Sequence, residues 1–153
     1  MEKIKWCKRQ NKGIKLRREN TDLANEYIEN AEESLRILQT IKDSRSNIWL
    51  ATTKHYIEYF AVYAFFMRVG IKCEIHDCTI AFVRVLESQD LFPKGIAKML
   101  EDDKILRIDN QYYLKNRPVK IDMESLRNFV LEMKKRVDGL AKDEIDKIRS
   151  IVE

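Results

Sequence analysis

The stretch WLATTKHYIEYFAVYAFFMRV, residues 49–69, decides the fold. Its apolar residues Tyr56, Tyr59, Phe60, Val62, Tyr63, Phe65, Phe66 and Met67 cover more than one stripe of a 3.6-residue repeat. A helix of that kind is buried on most sides, so the segment predicts the central rod of a helical bundle. Gly70 can take the left-handed conformation that ends such a rod. The most apolar run, Tyr59 to Met67, is closed in by Glu58 and Arg68 and falls far short of the ~20 residues a membrane span needs. No membrane partner is expected.

Working outward, Asn20 and Thr21 offer N-cap oxygens to a helix over about 21–42, whose apolar stripe runs Leu23, Tyr27, Ala31, Leu35, Leu38, Ile41. Residues 43–47 are polar and turn the chain into the central helix near Ile48. Beyond Gly70, Ile71–Ile75 reads as a loop, and Asp77 as the cap of a short helix over about 78–88. A further helix follows Pro93 through Ile96, Leu100 and Leu106 towards Lys115, and closes at Asn116–Pro118. Asp122 caps the last long helix, in which Met123, Leu126, Val130, Met133, Val137 and Leu140 alternate steps of three and four, the seam of a packed helical hairpin. Gly139 is placed to kink or end it, and Ile145, Ile148 and Val152 mark a small amphipathic tail. The expected architecture is all-α: an up-and-down four-helix bundle with an additional short helix. Its expected organisation is a basic arm over 1–20, the bundle over 21–140, and a C-terminal helix over 141–153.

A chain of 153 residues buries roughly 70% of its unfolded surface, so it is expected to need neither disulfide nor metal staple. Cysteine is present at Cys7, Cys73 and Cys78, an odd count, and the chain opens on charged residues where a signal peptide would be apolar. Cytoplasmic residence is the expectation. Of the net charge of +4, residues 1–20 carry eight Lys and Arg against two Glu, so the remainder is slightly acidic. The local positive field, with Trp6 among the cations, suits contact with phosphates, and equally suits a solvated tail.

Read in order, several segments resemble the HEPN family, in particular its archaeal branch of small stand-alone domains. They are Leu23 to Leu38, FFMRVGIKCEIHDCTI (65–80), FPKGIAKML (92–100) and RIDNQYY (107–113), and the likeness spans about residues 14–137. The resemblance implies a four-helix core, frequent dimers, and association with nucleotide or RNA. It also implies pairing with a minimal nucleotidyltransferase, as toxin and antitoxin.

Family members that cut RNA carry Arg, then four to six residues, then His, with two copies meeting across a dimer. Metal-free RNA cleavage needs a base for the 2′-hydroxyl proton and a cation for the charge developing on the phosphate. Arg107 fits the cation, while the histidine's place is taken by Tyr112 and Tyr113, and a phenol of ordinary pKa is only ~0.1% ionised at neutral pH. Binding is therefore expected over cutting, with an altered ribonuclease and a structural assembly protein as alternatives. On a straight helix Arg107 and Tyr112 point about 140° apart, which would place them in one pocket only across a two-fold axis. Asp103 and Asp109 stand four residues before Arg107 and Tyr113, within reach as ligand-binding neighbours or as ordinary surface ion pairs. In some family pairs the partner transfers AMP to a tyrosine of this motif, for which Tyr112 and Tyr113 are the candidate acceptors, although the family register falls on Leu114. His76 and Asp77 match the family's loop between its second and third helices. Cys73, His76 and Cys78, with His55, offer the elements of a zinc site, against which stands the plainer reading of buried cysteines and a loop histidine. Neither a metal nor a cofactor is expected, since there is no glycine-rich phosphate loop.

Overall fold

The computed structural model describes residues 1–153. In chain order it comprises α1 (Glu2–Arg9), β1 (Lys15–Leu16), α2 (Thr21–Ile41), α3 (Asn47–Val69), β2 (Ile71–Lys72), α4 (His76–Ser88), α5 (Ile96–Gln111), α6 (Met123–Gly139) and α7 (Lys142–Ser150). This is an all-α helical bundle, and its only sheet is a two-residue antiparallel ribbon pairing Lys15 with Lys72 and Leu16 with Ile71. No helix is long and apolar enough to cross a membrane.

The multi-sided apolar pattern of α3 has the expected consequence. It packs along α2 on one side and against α5 and α6 on others, and Ile57, Tyr59, Val62, Phe65 and Phe66 are fully buried. Burying each such side chain contributes about 1.5–3 kcal/mol, so this one helix supplies much of the core. The long helices start where side chains can cap them. Asn20 Oδ1 accepts from the Leu23 N–H at 3.0 Å, Ser46 Oγ from Trp49 at 3.3 Å and Asp122 Oδ1 from Ser125 at 3.1 Å. Gly70, at φ +76°, ends α3, and α6 ends at Gly139.

Several expectations are corrected. Residues 1–20 are not a free arm, because α1 lies on α4, β1 joins β2, and Ile4, Cys7 and Ile14 are buried in the main core. The charge density of this segment masks three apolar residues that suffice to dock it. Cys7 on α1 is joined to Cys78 on α4, so the chain does carry a disulfide staple. The segment read as a loop after Gly70 contributes strand residues 71–72. Asp77 does not cap α4, which starts one residue earlier at His76 after Ile75 and has no side-chain cap. Finally, α5 stops at Gln111 and not near Lys115, since Leu114 and Asn116 adopt left-handed backbone (φ +50° and +51°) that no α-helix continues.

Candidate functional site

The apolar helix α3 is interrupted on one side by Lys54, His55 and Glu58, and the facing side of α5 carries Asp103 and Arg107, one helical turn apart. The two helices pack together, so these residues form a polar seam inside the bundle. His55, Glu58, Asp103 and Arg107 are all buried.

At one end of the seam Lys54 Nζ lies 3.1 Å from Asp103 Oδ1. Burial pushes the Glu58 carboxyl well above its usual range, and the hydrogen bond and charge of Asp103 push it further. Both influences favour the neutral form of Glu58 beside Asp103. Both Glu58 oxygens and Asp103 Oδ2 are buried without a donor in the protein, which is costly for ionised carboxylates.

At the other end stands Arg107. Its Nη1 donates to Gln111 Oε1 at 3.1 Å, its buried Nε has no partner within the protein, and no carboxylate pairs with it. The imidazoles of His55 and His76 lie alongside, 5.6 Å apart between centroids, with the Tyr59 ring 4.5 Å from the first and 4.7 Å from the second. Burial, then the Arg107 charge, then His76 and Lys104 push His55 down to about 3. His76 is lowered by the same sequence of burial, Arg107 and Lys104, against a smaller opposing effect of Asp77. Both rings are neutral at physiological pH, so His76, which is half-buried, is competent to accept a proton. The Tyr59 phenol is raised, chiefly by burial. Its hydroxyl, His55 Nδ1 and Arg107 Nε are all buried without protein partners. Three orphaned polar atoms in one cluster of side chains from α3 and α5 are unusual, because buried polar groups are nearly always satisfied.

Tyr112 meets this cluster from the surface, with its ring centroid 5.9 Å from the Arg107 guanidinium. The two residues therefore meet within a single chain. Tyr112 keeps αR backbone and its N–H donates to the Ile108 carbonyl, so the contact across the ~140° separation is made by the reach of the two long side chains. Tyr112 and Tyr113 are 65% and 67% exposed and so do not cover the bundle.

Other candidates disperse. Asp103 pairs with Lys54 and not with Arg107. Asp77 pairs with Lys104 on α5 at 2.5 Å, which lowers its carboxyl and ties α4 to the site's edge. Asp109 turns away from Tyr113 to Arg117 (2.7 Å) and Lys115 (3.4 Å), and the Arg117 bond is the first cause of its lowered pKa. Tyr113 sits instead under the Lys115 ammonium, 5.7 Å from its centroid. The loop is held by fully buried Asn110, which donates to the Arg117 carbonyl at 3.0 Å and accepts from its N–H at 2.5 Å.

The zinc reading fails on geometry. Cys78 is consumed in the disulfide, the Cys73 thiol donates to the Ile75 carbonyl at 3.4 Å, and no three His, Cys, Asp or Glu side chains gather as a metal cluster. Residues that the sequence reading left out of the site are Lys54, Glu58, Tyr59, Lys104 and Asn110, and His55 entered it only as a possible metal ligand. The available signal was the set of ionisable residues at 54, 55 and 58 within an otherwise apolar helix. No protein-family model, curated protein or solved structure matches the chain.

Proposed function

We propose that this chain is a HEPN-type module that recognises a phosphate of a nucleotide or RNA through Arg107 and acts by binding. The observation that carries the reading is the buried guanidinium with no carboxylate partner and an unsatisfied Nε. A cation held out of water without a counter-charge is costly unless an anion completes it. The planar fork of a guanidinium suits the oxygens of a phosphate. Exposed Tyr112 beside it offers a face on which a base can stack.

In the same reading the chain works in the cytoplasm as a homodimer and as the partner of a minimal nucleotidyltransferase. The exposure of Tyr112 and Tyr113 supports their role as AMP acceptors. An apolar groove of about 550 Å³ between α2 and α3, bordered by exposed Ile37, Trp49 and Tyr56, supports a second copy as its cover.

The neutral imidazole of His76 beside Arg107 favours a second reading, a metal-independent ribonuclease. His76 would take the 2′-hydroxyl proton, the 2′-oxygen would attack phosphorus while Arg107 holds the added negative charge, and the bond to the 5′-oxygen would break as that oxygen takes a proton from water.

Incubating labelled structured RNA with the wild-type chain, Arg107→Ala and His76→Asn, and scoring both retention and cleavage, separates the readings. Retention lost only in Arg107→Ala, with no cuts by any chain, supports binding. Cuts by the wild type that vanish in both variants support the ribonuclease. Wild-type behaviour of Arg107→Ala would reject both.

A further inference from the structure

A cavity of about 650 Å³ opens between the start of α2, the end of α3 and the two-stranded ribbon, and none of its lining residues belongs to the cluster around Arg107. Its volume lies within the range of small-molecule sites. Leu23, Tyr27, Tyr63 and Met67 form its apolar floor, and Arg17, Arg18 and Lys72 stand at its mouth. All four floor residues are only partly buried.

The charges at the mouth are largely unspent. Arg18 makes no side-chain hydrogen bond or ion pair, and Arg17 Nη1 reaches only the adjacent Leu16 carbonyl, at 3.0 Å. Lys72 pairs at 3.9 Å with Glu74, the one carboxylate that lines the cavity, while nearby Glu19 is engaged by Arg68 at 3.0 Å. Two guanidinium groups therefore remain without a counter-charge over an apolar floor.

The walls are built in advance. The Arg17 N–H donates to the Gly70 carbonyl at 2.7 Å, and the Asn20 N–H donates to Met67 at 2.9 Å. Arg149, reaching from α7, donates through Nη1 to the carbonyls of Arg17 (2.9 Å), Val69 (2.9 Å) and Gly70 (3.2 Å). Such bracing removes ordering cost from ligand capture. Burial pushes the Tyr63 phenol up to about 12 and also raises the Cys73 thiol at the cavity wall. The floor is thus uncharged at neutral pH.

We infer that this cavity binds a small amphipathic anion, its apolar body on Tyr27, Tyr63 and Met67 and its carboxylate, sulfonate or similar head between Arg17 and Arg18. The site is independent of the cluster around Arg107 and of any role in RNA recognition.

The test uses the full chain and the fluorescent probe 8-anilinonaphthalene-1-sulfonate, an aromatic body with one sulfonate. The expected result is one saturable site. Reversing both charges with Arg17→Glu and Arg18→Glu weakens it at least about tenfold, as loss of charge-assisted contacts predicts. Both residues are exposed, so this variant keeps its fold. Met67→Trp, which fills the floor, also removes the signal, whereas Arg107→Ala and Trp49→Ala leave it unchanged. Competition by indole-3-acetate and by decanoate then distinguishes an aromatic from an aliphatic body. Absence of saturable binding, equal binding by the charge-reversed chain, or loss of the signal in Trp49→Ala would overturn the inference. The last outcome would place the probe in the groove between α2 and α3.

Discussion

Acid should destabilise this protein through His55, and the size of the effect follows from where that ring sits. It is 1% exposed, and burial together with Arg107, His76 and Lys104 holds its folded-state pKa at about 3 against an ordinary 6.5. Because the folded pKa is depressed, the unfolded chain binds the proton first. The contribution is therefore fully present above the unfolded value and is lost as pH falls from there towards the folded one. The slope is about 1.4 kcal/mol per pH unit for one proton. Between pH 8 and pH 5 this amounts to about 2 kcal/mol. Glu58 acts with the opposite sign, since its raised carboxyl stabilises the fold below the unfolded value and loses that effect as pH rises through the folded one. Comparing the wild type with His55→Phe cancels Glu58 and leaves the histidine. Phe keeps an aromatic ring against Tyr59 and removes the unpartnered Nδ1. In urea denaturation at pH 8 and pH 5, the stability of His55→Phe relative to wild type should rise by about 2 kcal/mol on acidification. A difference that stays flat with pH would refute the burial argument, because it would mean that His55 titrates as in the unfolded chain.

Three further outcomes are expected. Gly70→Ala should lower stability by about 2–4 kcal/mol by thermal melting, because a left-handed residue acquires a Cβ. That Cβ would collide with Arg149 Nη1 and lie 2.5 Å from the Arg17 carbonyl oxygen. Reducing the Cys7–Cys78 bond, or Cys7→Ser, frees a loop closed across 71 positions, and the urea midpoint should fall by an equivalent of up to about 4 kcal/mol. Asn110→Ala should release residues 112–118, seen as faster amide exchange there, and cost about 1–3 kcal/mol for the unpaired groups at Arg117.

Much of the fold could be read from the sequence because α2, α3 and α6 carry three agreeing signals: an apolar repeat, a capping residue and a polar turn. Their ends fall within a residue or two of expectation. The end of α5 overran because Leu114 continues the apolar repeat, while its left-handed backbone is a property of the loop. The N-terminal segment was misread because eight cations among twenty residues outweigh Ile4, Cys7 and Ile14, and docking depends on those three. The partner of Cys7 lies 71 positions away, and no local pattern announces a pairing of that kind. At the site, Arg107, Tyr112 and His76 were all named, yet their meeting in one chain depends on the reach of two long side chains and on how α4 packs against α5. Glu58 was hidden for a different reason. A carboxyl in a helix normally faces water, and only the packing of α5 against α3 reveals that this one is buried.

The most direct test of Arg107 as the phosphate-binding group is the NMR signal of its own Nε–H, observed with and without a short single-stranded oligoribonucleotide. In the free protein this hydrogen has no acceptor within the chain. It should move downfield and become protected from exchange as the RNA is added, with Tyr112 ring signals shifting in parallel. An Arg107 Nε–H that stays unchanged while resonances of α1 and the 15–18 segment respond would contradict the assignment, because it would place the RNA on the basic N-terminal surface.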